Sequence, residues 1–232
     1  LVFATGHRPD INSIVRLQDQ VDDQAFSITH KAEKDGWAEL LARGMTFDCH
    51  GLAPTAAVDL PQQGSLLGLA SFPEGEAIAL RPGPHLAGGK GLLPVVRTLA
   101  GLGTSLAALP GILAVRWLPA QTWMTPDYFI RLVKDWLVGG AFPALGLTGL
   151  ERQDDGSMVS RGLELLVGQE IRFDPPPGMV AMQVARIAVR LVHLLIEQGA
   201  MQESGTLVGP DGETLLAVPV RDRTRLHVSV QG

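Results

Sequence analysis

The chain has 232 residues, 46% of them hydrophobic and 19% charged, with a formal net charge of −5. That length and apolar content suffice for a substantial core in one large or two small domains. The negative balance argues against a dedicated nucleic-acid or anionic-membrane binder, because both partners repel the mean field.

The first seventy or so residues carry the weakest patterns, a polar start followed by Ala25 to Thr29 as a strand. Gly36 to Arg43 reads as a short amphipathic helix using Trp37, Leu40 and Leu41, with Gly44 as its stop and Met45 to His50 as the next strand. Pro54, Pro61 and Pro73 mark residues 53–75 as a long surface connection. A boundary is therefore expected between an N-terminal subdomain or extension, residues 1–74, and a main domain, residues 75–232.

Ala77 to Leu80 is a strand, and after a Gly/Pro loop the spacing of Leu92, Val95, Val96, Leu99, Leu102 and Leu106 is helical. The uncharged run Thr98 to Val115 is long enough to raise the membrane question, but Gly101, Gly103, Pro110 and Gly111 interrupt it. It reads as helix, turn, strand, and no membrane span is expected. Ile112 to Leu118 is apolar on both faces, the mark of a central strand. Thr125 caps the next helix with Pro126 at its first position. Phe129, Leu132, Val133, Trp136 and Leu137 make its buried face, while Arg131, Lys134 and Asp135 point outward.

Ala144 to Leu150 reads as a strand, and the Asp154, Asp155, Gly156 turn joins it in a hairpin to Met158 to Ser160. Gly162 to Gly168 is open between a helical turn and a strand, whereas Glu170 to Phe173 alternates as a strand. Met179 to Gly199 is the longest helical pattern. At about 100° per residue, Gln183, Arg186, Arg190, His193 and Glu197 form a polar stripe roughly 80° wide, and Ala181, Ala185 and Ala188 lie opposite it as the expected deepest face. Strands at Leu207 to Val208, after the Pro210, Asp211, Gly212 turn at Thr214 to Val220, and at Arg225 to Val230 close the chain as a meander.

Helices alternate with strands in the middle and hairpins dominate the end, which predicts an α+β fold with helices packed on a mostly antiparallel or mixed sheet. The β, α, β, α, β run from Glu76 to Leu150 points to a ferredoxin-like split βαβ arrangement. From about Gly146 onward, Gly162, Leu163 and Glu164, then Gly168 to Phe173 (GQEIRF), the long apolar helix and the Gly209 to Gly212 turn (GPDG) follow in an order that resembles a family of uncharacterised bacterial domains. The resemblance covers the last third of the chain and implies no reaction.

Pro84 to Gly91 (PHLAGGKG) stands between a strand and a helix, where a phosphate loop would be, but Pro84 and Gly91 replace the glycine and hydroxyl that such a loop needs. Backbone amides there, assisted by His85 and Lys90, are one candidate ligand site. Trp123, in a loop before a capped helix, is a candidate lining aromatic. Asp48 and His50 share one strand face, with Cys49 on the other, and form an alternative polar pair. Glu164 and Glu170 bracket the ambiguous segment as a further carboxylate pair, and Arg221, Arg223, Arg225 and His227 make a basic edge. The remaining histidines are scattered without metal spacing, so neither metal nor cofactor is expected.

One cysteine, Cys49, forbids an internal disulfide and fits a reducing cytoplasm, which is the expected location. Two functions follow. The first is a non-catalytic interaction or assembly domain, able to form a homodimer or take an unidentified partner, because folding alone explains the strong patterns. The second is a small-molecule binder or hydrolase with a site near residues 82–91 and Trp123.

Overall fold

The computed structural model describes residues 1–20 and 26–231, and the chain divides into two compact units. The first comprises Leu1–Arg116 with Trp123–Ala141, and the second Trp117–Thr122 with Phe142–Gly232. Residues 74 and 75, where the sequence places a boundary, lie inside the first unit. The cause is strand pairing: β1 (Val2–Phe3) pairs on one side with β6 (Glu76–Ala77) and on the other with β8 (Ile112–Trp117), so residues from before and after the expected boundary share one sheet.

The fold is α+β, with three sheets among the described residues. In the first unit, a five-stranded sheet runs β5 (Ser65–Leu67), β9 (Thr122–Met124), β8, β1, β6. A four-stranded antiparallel sheet runs β2 (Ser27–Ala32), β3 (Trp37–Ala42), β4 (Met45–His50), β7 (Ala79–Pro82). The strands of the Glu76 to Leu150 run therefore go to different sheets, and no single sheet assembles them in the expected ferredoxin-like order. With only Ile78 between β6 and β7, each short strand completes a different sheet.

Two elements of the first unit differ from the sequence expectation. The segment read as a helix, Gly36 to Arg43, is strand β3, whose Ala38, Leu40 and Ala42 alternate inward. Arg43 and Gly44, with φ of 50° and 77°, form the left-handed two-residue turn that joins β3 to β4. The polar start contains α1 (Ile11–Gln20), which buries Ile11, Ile14 and Leu17. Asp10 caps it, its carboxylate accepting the Ser13 amide at 2.7 Å. Ala25, the first residue of the expected early strand, lies outside the described residues, and β2 begins at Ser27.

Other elements match. α2 (Leu93–Leu106) buries Val95, Val96, Leu102 and Leu106. α3 (Pro126–Leu137) is capped by Thr125, which accepts from the Tyr128 amide, and buries Phe129, Val133 and Trp136. β8 lies at the centre of its sheet. The segment 58–72 is more than a connection, because Val58, Leu60, Leu66, Leu69 and Phe72 pack over the core of Val2, Ala77, Ala114 and Trp123.

In the second unit a six-stranded sheet runs β10 (Gly149–Arg152), β11 (Met158–Arg161), β12 (Glu170–Asp174), β15 (Arg225–Val230), β14 (Thr214–Pro219), β13 (Gly205–Val208). β12 and β15 are parallel at its centre, and the other neighbours are antiparallel. The expected strand from Ala144 starts instead as a helical turn, α4 (Ala144–Leu147), because Pro143 precedes it and local 3.6-residue bonding satisfies the amides before β10 begins. The ambiguous segment resolves as a helical turn, α5 (Glu164–Val167), ended by Gly168 at φ 78°.

The long helix α6 (Ala181–Gln198) packs on β11 and β12. It buries Val184, Ile187, Ala188, Leu191 and Leu195, while Ala181 is exposed and Ala185 half-buried, so the helix is turned by about 60° from the expected facing. Area explains the rotation. Burying a Leu, Ile or Val side chain is worth ~1.5–3 kcal/mol, and with Val192 and Leu194 this face seats six of them around one alanine. Ala188→Leu is expected to overpack the seat and cost ~1–3 kcal/mol, whereas Ala185→Leu should change stability by less than about 1 kcal/mol. Urea unfolding of the two variants compares them, and a larger loss for Ala185→Leu would restore the alanine face.

Candidate functional site

Each candidate residue from the sequence has a defined place. His85 lies in a 3₁₀ turn, Pro84–Gly89, with its Nδ1 3.5 Å from the Thr46 hydroxyl, and Lys90 follows the turn. Trp123 is only 1% exposed. Its indole N–H donates to the Gln63 carbonyl at 3.0 Å and Phe72 packs edge-on at 5.6 Å, which makes it a core anchor rather than the wall of an open pocket. Asp48 and His50 share a face of β4 with Cys49 buried on the other, but the Asp48 carboxylate accepts the Trp37 indole N–H at 3.0 Å. Burial pushes the Cys49 thiol up to about 12, so it stays protonated and inert as a nucleophile at neutral pH.

Of the carboxylate pair, Glu170 is taken up by the fold. Glu170 accepts from the Gly162 amide at 2.6 Å, the Glu164 amide at 3.2 Å and the Ser160 hydroxyl, so it caps the α5 turn. Gly162 has φ of +83°, and a Cβ there would lie 2.7 Å from the Pro119 carbonyl carbon, which is why glycine stands there. The GQEIRF segment is thereby explained as architecture: Gly168 ends the turn, Glu170 caps it, and Ile171 and Phe173 enter the core.

On α6, His193 is half-buried, and burial, with Arg190 adding to it and Glu197 opposing, holds its pKa below the usual imidazole value. At the basic edge, Arg221, Asp222, Thr224 and Arg225 bound an open depression of about 760 Å³, where Asp222 accepts from the amide and hydroxyl of Thr224. Among the described residues no group of three His, Cys, Asp or Glu is placed to hold a metal ion. No helix among them is long and apolar enough to cross a membrane.

A more enclosed concave site lies elsewhere, in the first unit between the β3–β4 turn, α2 and α3. It is a groove of about 390 Å³, floored by Gly101 and Leu102 of α2 and by Leu137 of α3, with Val138 at 86% exposure beside it. Arg43, Arg97 and Lys134 line it, and no carboxylate does. Arg97 is committed to the fold: its guanidinium donates to the Trp136 and Leu137 carbonyls at 3.1 and 3.0 Å, closing the end of α3, and stacks 4.7 Å over the Trp136 ring. The side chains of Arg43 and Lys134 have no hydrogen bond or ion pair among the described residues. Arg43 also adopts a left-handed backbone, a position that turns of this kind normally give to asparagine or glycine.

None of the candidate site residues from the sequence lines this groove. Lys134 is visible there only as an outward-facing helix residue, and Arg43 as the end of an expected helix. The legible signal is Gly101, which leaves room where α2 meets Leu137, its would-be Cβ lying 3.4 Å from that side chain. Compared with known proteins, the chain matches no family model, no curated protein and no solved structure.

Proposed function

We propose that this chain is a non-catalytic binding protein whose first unit holds an anionic amphiphile, a carboxylate carrying an apolar tail, in the groove between α2 and α3. One observation carries the reading: an apolar floor is flanked by two cations without hydrogen-bond or ion-pair partners among the described residues, Arg43 and Lys134, and no acidic side chain shares the lining. The volume falls in the range of small-molecule sites, about 300–1,000 Å³. Arg97 adds positive potential while its donors hold α3 in place. The groups that an enzyme would need for acid–base or nucleophilic work, Asp48, Glu170 and Cys49, are engaged in or buried by the fold. A cytoplasmic setting accords with that buried, unpaired thiol.

Titration calorimetry with decanoate tests the reading, with decanol and decylamine as controls. Decanoate is expected to bind more tightly than either control, and Arg43→Glu with Lys134→Glu to weaken it by at least about tenfold. Equal binding of decanoate and decylamine, or an unchanged affinity in the double variant, would remove the groove from consideration. Sedimentation addresses the other expected role: a dimer abolished by Val138→Asp would mean that the exposed edge of the groove meets a second copy, and would displace the small-ligand reading.

A further inference from the structure

Independently of the groove, we infer that Arg116 and Trp123 form a second site in the first unit, one that takes a small oxyanion, phosphate or carboxylate. The argument starts from strand alternation. Arg116 shares the face of β8 that carries Ala114, the face whose core includes Trp123 and is covered by Leu60, Leu66 and Phe72. A guanidinium there is in apolar surroundings: Arg116 is 8% exposed and sits 5.0 Å over the Trp123 ring centroid. Its Nε and Nη1 are both buried and neither has a hydrogen-bond partner among the described residues.

Arginine stays charged at any physiological pH, so burial cannot be relieved by loss of a proton. Buried charges are paired or hydrogen-bonded because the alternative is expensive. The contrast within the same unit is direct. Arg8, with a side chain 7% exposed, spends Nη1 on the Gly51 carbonyl at 2.6 Å and Nη2 on the Thr55 carbonyl at 2.5 Å, and its Nε, buried without a hydrogen bond among the described residues, lies 3.9 Å from the Glu76 carboxylate. Arg116 has no such carbonyls, and the ring beneath it supplies attraction without accepting an N–H in the guanidinium plane. The Trp123 indole is fixed from the side by Gln63 and Phe72, so the platform under the cation is rigid. What the arrangement lacks is an acceptor in that plane, which an oxyanion supplies to Nη2 and one of the two buried nitrogens beside it. With so little of the residue open, the ion has to be small.

Thermal unfolding at constant ionic strength, in chloride, inorganic phosphate or acetate, tests this. Phosphate or acetate at ~100 times its Kd is expected to raise the wild-type midpoint by on the order of 5 °C over chloride, and whichever does so identifies the class of anion. Arg116→Met is expected to lose that response while remaining at least as stable as wild type in chloride, because removing an unpaired buried charge relieves a cost. Arg116→Lys keeps the charge without the fork and should weaken binding about tenfold or more. It also assigns the Arg116 Nε–H resonance by its disappearance, and in wild type that resonance should move on anion addition even if the Met variant does not fold. Identical responses of wild type and both variants, or an immobile Nε–H resonance, would reduce Arg116 to a stacking partner of Trp123.

Discussion

Trp123→Ala is expected to destabilise the first unit by ~3–5 kcal/mol, the range for removing a large aromatic from a packed core. The side chain is 1% exposed and among the largest fully buried ones, so its loss opens a cavity. It is also where the segment 58–72 is pinned: Phe72 meets the ring edge-on, and the indole N–H holds the Gln63 carbonyl. The cost should therefore appear as lower protection of that segment from hydrogen exchange as well as a lower urea midpoint. Trp123→Phe keeps most of the apolar volume and loses the hydrogen bond, at about 0.5–1.5 kcal/mol plus the packing difference. An alanine variant within 1 kcal/mol of wild type, a margin about that of one net hydrogen bond, would show that the segment is held by other contacts.

Gln169→Leu is expected to cost ~2–4 kcal/mol in the second unit. Gln169 is 0% exposed, and its amide joins two separate loops: Nε2 donates to the carbonyls of Met201 and Arg223 at 3.2 Å each, while Oε1 accepts the Met201 amide at 3.1 Å. Leucine fills similar space and abandons all three bonds, leaving partly buried backbone groups unpaired, at ~1–3 kcal/mol for each group that water cannot reach. Gln169→Glu should fail as a rescue at neutral pH, because a carboxylate faces two carbonyls and can keep only the Met201 amide. Denaturation midpoints of both variants read the effect, and a glutamate variant as stable as wild type would mean that the clamp contributes little.

The legible parts of this chain were those where local chemistry and burial agreed. Thr125 with Pro126 announces α3, whose apolar spacing is also its buried face. The Asp154 to Gly156 turn sets the β10–β11 hairpin, with Gln153 and Ser157 bonded across it at 2.8 Å. The illegible parts were those where two periods fit the same letters. Trp37 to Ala42 supports a helix by its spacing, but the pair Arg43 and Gly44 turns left-handed and the segment becomes a strand between two partners. Nothing local in the letters distinguishes these outcomes, because strand pairing with residues 27–32 and 45–50 decides the matter.

The candidate sites followed the same rule. His85, Lys90, Asp48 and His50 attract attention as residue types, and Trp123 by its place before a cap. Arg43, Lys134 and Arg116 do not, since a cation in a turn, on a helix surface or in a strand is individually ordinary. The amino-acid sequence by itself determined the α+β class, the long helix, the closing meander and the central position of β8, because hydrophobic periodicity and caps act within a few residues. Only the tertiary structure decided which face α6 seats, how the described strands divide among three sheets, and that two cations without partners among the described residues flank an apolar groove while a third lies buried on a tryptophan. Those outcomes depend on which side chains remain unpaired after every long-range contact has formed, and that is a property of the folded chain rather than of any stretch of it.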